Sequence, residues 1–579
     1  MGRASFVGYI SSASVVVVGL LAVVACGSTR DGFTAGPNAT EGTDGGSSGG
    51  VPPDGGFGYA GDAGDPRLPE GDTRDPIDCE EAKTSKSYVG CDYWPTVTPN
   101  PVWSIFDYAV VVANTGTKEA VVTVTGPKSS NIQVKVPAGE LRKIALPWVE
   151  DLKGTDFNEC AAINPPAASI VVSSGAFHLV SSSPVIVYQF NALQYKGEGG
   201  TAPGGGPKDW STCPGSKTFC LPALGKVGCF SFSNDASLLL PSTAMTNNYR
   251  VGGHHGGSAL AGGVIPAVLT VTATEPATTV TVTLAGTAKV VASVSGQAVP
   301  AANGGETITL TLAGAGDVAQ FLTEKGNAFD FSGSLVQSDK PVQVIASVPC
   351  TNIPGDAMAC DHIEESILPA ETLGKRYVVA PPTGPKGNAV KQNVRLYGNK
   401  DGTTLTYKPA KPAACPDTLD AGEVADCDLV GEAFEVTGTN EFAVGTFLLG
   451  ATVYDSSGQD RRGDPSQSAY ASIEQFRTKY VFLAPNDYPV QYADITATED
   501  AEIELDGAKV SAPWTKIGDG PFGVHRVDLT KSGKDGAHTL TAKKPVGVQV
   551  IGFGDNTSFQ YPAGLNLKLI APPPPPPPK

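Results

Sequence analysis

Two short motifs suggest hydrolytic chemistry, but neither is placed where such chemistry works. A serine hydrolase needs a nucleophile on a strained strand-to-helix turn, a nearby histidine and an acid that orients it. A G-x-S-x-G motif runs from Gly45 to Gly49, in a stretch without any strand or helix pattern. The segment from His254 to Gly257 (HHGG) has the composition of an oxyanion loop, yet it lies in a glycine-rich loop between strands. We therefore predict no catalytic residues of this class.

The segment from Asp361 to Glu365 (DHIEE) offers carboxylates and an imidazole to a metal ion. Adjacent residues of an extended chain point to opposite faces, so these side chains cannot all converge on one ion. Zinc is disfavoured as well, because the sequence has no C-x-x-C pair and its histidines are scattered. We interpret the segment as a solvated acidic turn beside Cys360, and we expect no metal and no cofactor.

The tripeptide from Arg462 to Asp464 reads RGD, a known integrin-recognition sequence. Its Gly-Asp pair has counterparts at Gly554-Asp555 and Asn234-Asp235, which favours a repeated structural turn over a recognition site. Asp, Ser and Thr side chains in such turns accept hydrogen bonds from nearby backbone or donate to it. We predict turn-capping roles for Asp235, Ser237, Asp464, Ser466, Asp555 and Thr557. One turn alone supplies too few oxygens for calcium.

The N-terminal residues have the pattern of an export signal. Arg3 is followed by an apolar run from Val15 to Ala25, which is too short to span a bilayer and is typical of a signal peptide over residues 1–25. Cys26 then follows small residues, as in a bacterial lipobox, where the cysteine is acylated after cleavage. The alternative is an ordinary signal peptide with a chance cysteine. With no Asp after Cys26, we expect an outer-membrane lipoprotein exposed at the cell surface.

The remaining cysteines favour an oxidising compartment, since ten are left when Cys26 is set aside from the eleven. Short spacings predict three local disulfides, Cys79–Cys91, Cys350–Cys360 and Cys415–Cys427. Three connectivities stay open for the other four cysteines, which are Cys160, Cys213, Cys220 and Cys229.

Composition limits the class of protein. The chain has 579 residues, 41% hydrophobic and 17% charged, and its Val-, Thr- and Ala-rich segments favour strands. A net charge of −17 argues against a nucleic-acid partner, since no basic stripe is present. This length predicts several packed units. Residues 26–78 form a Gly- and Asp-rich linker that is expected to be disordered, and residues 571–579 form a polyproline tail.

An approximate repeat runs through the chain between the linker and the tail. Its first element is a Pro-Val strand, found at 181–190, 338–348 and 542–553, with a degenerate copy at 440–449. An acidic turn follows each copy, at 234–241, 364–369, 463–470 and 554–562. Thr/Val alternation, typical of a hairpin, marks the third element at 110–126, 269–286 and 493–507.

The order of these elements recurs about four times and predicts an all-β protein with almost no helix. We predict four tandem β-sandwich-like units at residues 79–233, 234–359, 360–462 and 463–570. Their boundaries are open to permutation, because an acidic turn occurs at both ends of the array. The alternative arrangement is a closed ring of β-units.

These fragments resemble the N-terminal domain of the IgGFc-binding protein family. The matching stretches are CDYWPTVTPN from Cys91, FHLVSSSPVIVYQFNAL from Phe177, NDASLLLPSTAMTNNYRV from Asn234, FRTKYVFLAP from Phe476 and GDNTSFQYPAG from Gly554. Together they span nearly all of residues 79–565. The third unit departs from the family pattern by lacking the Pro-Val pair, and residues 197–229 look like an insertion. The resemblance implies an extracellular interaction domain and does not identify a ligand.

The leading functional hypothesis is a non-catalytic binding or adhesion lipoprotein. Its partners would be a membrane, reached through the lipid, and an extracellular glycoprotein or polysaccharide. A structural component of the envelope is the second hypothesis. The third is a carbohydrate-active enzyme, whose paired acids cannot be recognised in a sequence because their separation is a three-dimensional quantity.

Overall fold

The structure is a computed structural model. It describes residues 74–156, 164–202, 205–213, 228–259, 263–294, 299–355, 357–530 and 536–575. The predicted signal peptide, Cys26, Cys160 and Cys220 lie outside these residues, as does most of the predicted linker. Within the described chain no helix is long and apolar enough to cross a membrane.

Antiparallel strands make up nearly all of the regular structure and fall into four groups along the chain. The first group comprises β1 (Gly90–Tyr93), β2 (Tyr108–Ala113), β3 (Ala120–Gly126), β4 (Ser130–Val136), β5 (Leu141–Leu146), β6 (Ile170–Val172), β7 (His178–Asn191) and β8 (Asp235–Leu238). The second comprises β9 (Asn248–Arg250), β10 (Ser258–Ala259), β11 (Gly263–Val264), β12 (Pro266–Ala273), β13 (Thr278–Thr283), β14 (Lys289–Val291), β15 (Ala302–Asn303), β16 (Thr307–Leu312), β17 (Val318–Lys325), β18 (Leu335–Ser338), β19 (Val342–Thr351) and β20 (Asp361–Ser366).

The third and fourth groups contain the other strands of the described residues. The third comprises β21 (Arg376–Val379), β22 (Gln392–Gly398), β23 (Thr403–Lys408), β24 (Thr418–Leu419), β25 (Val424–Val430), β26 (Phe434–Gly438), β27 (Phe442–Leu448) and β28 (Ser466–Ala469). The fourth comprises β29 (Arg477–Leu483), β30 (Val490–Thr498), β31 (Ile503–Leu505), β32 (Ala508–Lys509), β33 (Trp514–Lys516), β34 (Phe522–Asp528), β35 (Ala537–Gly554) and β36 (Thr557–Pro562). The α-helices are short: α1 (Cys79–Ser85), α2 (Glu150–Lys153) and α3 (Ala451–Tyr454).

Each group folds as facing sheets with an apolar interior, as the second group shows. One sheet has the order β15-β14-β17-β12-β19-β20 and the other the order β16-β13-β18-β9. Leu269 of β12, Val280 of β13 and Val336 of β18 belong to one buried cluster between them. Each such side chain contributes about 1.5–3 kcal/mol when fully buried. The all-β prediction is confirmed; the unit boundaries and a closed ring stay predictions.

The Thr/Val elements are not hairpins. In the second group β12 pairs with β17 and β19, whereas β13 pairs with β16 and β18, so the two strands lie in opposite sheets. The same holds for β2 and β3 in the first group. Alternation along each strand is satisfied equally by a hairpin and by an arch between sheets, so the pattern could not distinguish them.

The Pro-Val element marks the point where the chain changes sheets. In β7, Ser181 pairs with Val122 of β3, while Ile186, just beyond Pro184, pairs with Ala113 of β2. In the second group the equivalent segment forms two separate strands, β18 and β19. Proline has no N–H for the ladder, so it is tolerated at such a switch. Pro184 accordingly lies inside β7 and not at its first residue.

Candidate functional site

The predicted acidic turns are strands that meet inside the protein. The strands β8, β20 and β36 each pair with the Pro-Val strand that precedes them, and β28 pairs with the degenerate copy, β27. They also contact one another, and each belongs to a different strand group. We call this meeting point the strand junction. Its side chains are almost entirely buried.

Asp235 of β8 joins three strand groups at the junction. Its Oδ2 accepts hydrogen bonds from the backbone N–H groups of Glu364 and Gln467, both at 3.0 Å. Its Oδ1 accepts from Ser466 Oγ at 2.7 Å. Only the 3.0 Å bond from the Ala236 N–H is local. The carboxylate therefore connects distant parts of the chain in addition to capping its own turn.

Asp361 of β20 has the same bridging role. Its Oδ1 accepts from the Asn234 N–H at 3.0 Å, and its Oδ2 accepts from Thr557 Oγ1 at 2.8 Å. Thr557 also donates to Asn234 Oδ1 at 3.2 Å. The first, second and fourth groups are thus linked through side chains that the sequence presented as separate turns.

The DHIEE segment is not solvated, which corrects the sequence interpretation. His362 and Glu364 have 0% of their surface exposed and Glu365 has 2%. Glu364 accepts from Thr98 Oγ1 at 2.7 Å and from Asn191 Nδ2 at 2.6 Å. These hydrogen-bond donors replace the water molecules that would otherwise hydrate the Glu364 carboxylate. The sequence interpretation failed because these donors come from residues distant in the chain.

Burial changes the protonation of the junction acids. It raises the pKa of Asp235 and of Glu365, and it raises that of Asp361 together with the like charge of neighbouring Asp464. Burial also raises the pKa of Asp464, an effect that the backbone N–H of Ala359 partly opposes, and its two carboxyl oxygens make no hydrogen bond of normal geometry. Each of these shifts makes the charged form of the acid less favourable in the folded protein than in the unfolded chain.

The other predicted turn residues divide between buried and exposed positions. Ser237 Oγ donates to Glu364 Oε1 at 3.2 Å inside the junction. Asp555 instead has 38% of its side chain exposed and accepts from Arg461 at 3.1 Å. Because Asp464 is fully buried, the RGD tripeptide does not present its carboxylate to solvent.

A polar cleft lies between the second and third strand groups. It has a volume of about 390 Å³. We call it the His-Asp cleft and define it by its polar side chains, which are His254, His255, Asn352, Asn393, Asp426 and Asp428. This volume lies within the range of ligand sites, which are about 300–1,000 Å³.

Two disulfides hold the rims of the His-Asp cleft. Cys350–Cys360 closes the loop that carries Asn352, and Cys415–Cys427 places its second cysteine between Asp426 and Asp428. Cross-linked rims lose little conformational entropy when a ligand binds. The structure also contains the expected Cys79–Cys91 bond, and it pairs Cys213 with Cys229.

Both cleft histidines use Nδ1 to contact backbone carbonyls. The distances are 3.3 Å from His254 to the His255 oxygen and 2.6 Å from His255 to the Gly256 oxygen. A carbonyl only accepts, so the network assigns the proton to Nδ1 and leaves Nε2 as an acceptor in the neutral ring. Burial lowers the pKa of His254 well below its usual value, and His255 and Arg395 lower it further.

The opposite wall carries an amide with one unpaired atom. Asn393, 5% exposed, donates through Nδ2 to Asp426 Oδ1 at 2.7 Å, while its Oδ1 has no hydrogen-bond partner. Arg395 lies behind this wall and pairs with Asp330 at 2.8 Å. Burial acts to raise the pKa of Asp330, but Arg395 holds it below its usual value. The described residues contain no group of three His, Cys, Asp or Glu side chains suited to a metal ion.

Sequence reasoning considered the two histidines only as an oxyanion loop and missed Asn393, Asp426 and Asp428. The available signal was the Asp-Cys-Asp sequence around Cys427, which places two acids beside a disulfide. Their meeting with His254 and His255 depends on packing between strand groups, which no local pattern encodes.

Comparisons with known proteins identify the family of this chain. The model of a family described as IgGFc binding protein matches residues 235–552, more than half of the chain. No curated protein matches the chain. A solved structure titled "Crystal structure of tetra-tandem repeat in extending region of large adhesion protein" aligns at 10% identity and a TM-score of 0.08, covering 82% of this chain and 98% of that one. The chain belongs to the IgGFc binding protein family.

Proposed function

We propose that this protein is a non-catalytic binding or adhesion module that acts outside the cytoplasm. The family match over residues 235–552 is the observation that carries the proposal. Four disulfides in the described chain support an oxidising compartment. Acylation of Cys26 would attach the module to the outer membrane and expose it at the cell surface.

The fold supports binding because it presents a preformed polar cleft on a rigid scaffold. The strand junction fixes the strand groups through buried hydrogen bonds such as those of Asp235 and Asp361. Disulfides hold both rims of the His-Asp cleft. A cleft that needs little ordering keeps more of its interaction energy as affinity.

The ligand proposed is an extracellular glycoprotein or a polysaccharide. The purified protein should be applied to an array that displays both classes, and we expect selective retention on one class without chemical change of the ligand. Release of cleaved sugars would contradict the non-catalytic assignment and support a carbohydrate-active enzyme. Absence of retention, together with co-purification with peptidoglycan, would replace the proposal with a structural role in the envelope.

A further inference from the structure

We propose that the His-Asp cleft binds the guanidinium group of an arginine side chain on a protein ligand. This inference rests on the proposed binding function and specifies the chemistry of its ligand. Three observations carry it: the acceptors that line the cleft, the two rim carboxylates, and the buried unpaired oxygen of Asn393.

The side-chain atoms that remain for a ligand are mainly acceptors. Asn393 Oδ1 is buried without a partner, although a buried amide oxygen normally has one. Nε2 of His254 and of His255 is an acceptor once each Nδ1 has donated to a carbonyl. Asn352 has already used Nδ2 to bond the carbonyl of Ala357. A ligand that matches this wall must supply several donors.

The rim adds negative charge that the cleft does not neutralise. Asp428 is exposed, and only its backbone takes part in the hydrogen bonds around Asn393 and Asp426. Asp426 lies 3.7 Å from Arg395, but that arginine makes its shorter ion pair, at 2.8 Å, with Asp330. An anionic ligand would therefore be repelled, and a cationic one attracted.

An arginine side chain fits these features better than a metal ion does. The described His and Asp side chains do not converge as a metal site requires. A guanidinium carries five N–H donors on a planar fork, so it can reach acceptors spread over two walls. It also forms charge-assisted hydrogen bonds with carboxylates such as Asp428.

The test uses the peptide acetyl-Gly-Arg-Gly-amide and the full-length protein, with binding measured by saturation-transfer NMR. Two control peptides carry citrulline or lysine in place of the arginine. Citrulline keeps the shape of the arginine side chain but has no charge, whereas lysine keeps the charge but lacks the planar fork of N–H donors. The arginine peptide should bind more tightly than either. Equal binding of the citrulline peptide would overturn the proposal, and preferential binding of the lysine peptide would replace guanidinium with ammonium.

Variants locate the binding. Asp428→Asn should weaken arginine-peptide binding about fivefold, as expected for a partly exposed charge pair, and Asn393→Ala should weaken it as well. Asp417→Asn is the matched control, because Asp417 is in the same strand group, pairs with Lys411 and does not line the cleft. Thermal unfolding checks that each variant is folded. An unchanged affinity in folded Asp428→Asn protein would overturn the proposal.

The same variants separate this inference from the proposed function. If Asp428→Asn protein is retained on the ligand array as strongly as the wild type, the binding function stands and the arginine site is wrong. If the wild type is retained on nothing but still binds the arginine peptide at the cleft, the site stands and the proposed array ligands are wrong.

Discussion

Asp235 accepts a hydrogen bond from the backbone N–H of Gln467 at 3.0 Å, although the two residues are separated by 232 positions in the chain. The same oxygen accepts from the Glu364 N–H at 3.0 Å. One carboxylate thus satisfies backbone donors on two strands that reach the junction from other groups. Because all three residues are buried, no water can substitute for it.

Asp235→Ala should lower the free energy of unfolding by about 3 kcal/mol or more, since each buried donor left unpaired costs about 1–3 kcal/mol. Urea unfolding followed by tryptophan fluorescence measures the change. Asp555→Ala is the matched control: its carboxylate is 38% exposed and pairs with Arg461, so its loss should cost less than about 1 kcal/mol. Equal losses for the two variants would show that the junction does not depend on Asp235.

The buried acids predict that stability falls as pH rises. Burial raises the pKa of Asp361 and of Asp464, so the folded protein keeps protons that the unfolded chain loses near pH 4. Their contribution is complete below that pH and is lost as pH rises towards the raised pKa values. His254 acts in the opposite sense, because its pKa is lowered and its contribution is lost as pH falls below about 6.5.

Asp464→Asn should therefore flatten the stability profile above pH 5, since an amide does not titrate. Thermal unfolding between pH 5 and pH 8 measures this effect. The unfolding temperature of the variant should rise most, relative to that of the wild type, at pH 8. Asp555→Asn should keep the wild-type slope. If the profiles of the wild type and Asp464→Asn stay parallel, Asp464 does not titrate in this range.

The Cys415–Cys427 disulfide should stabilise both the fold and the cleft. Replacing both cysteines with serine should cost about 3 kcal/mol, the usual value for a loop of this size. The variant should also bind the arginine peptide more weakly, because the rim with Asp426 and Asp428 is no longer fixed. The Cys79–Cys91 pair has the same separation of 12 residues and lies outside the cleft, so its double-serine variant should keep the peptide affinity.

Cys26 should carry the lipid. Cells fed an alkyne fatty acid should yield a labelled protein in the membrane fraction, and Cys26→Ser should abolish both the label and the membrane association. Ser28→Ala, which leaves the lipobox cysteine in place, should keep both. A labelled Cys26→Ser protein would refute acylation at this residue.

The sequence predicted the strand content and three disulfides because both depend on local information. Alternating residues such as those of β13 (TTVTVT) have one buried and one half-buried face, as a sheet strand requires. Cysteines 10 and 12 residues apart, as in Cys350–Cys360 and Cys79–Cys91, can meet at a small entropic cost, because the loop that closes between them is short. The pairing of β12 and β13 with different partners was not encoded locally, since either topology satisfies the same alternation.

By itself, the sequence determined that this chain is a disulfide-containing β protein of a recognisable family, because composition, cysteine spacing and repeated strand patterns are properties of short segments. Only the tertiary structure decided that Asp235, Asp361 and Asp464 are buried together, and that His255 and Asp428 line one cleft. Whether a carboxylate is solvated or buried depends on which strands surround it. In this protein those strands come from positions up to hundreds of residues away.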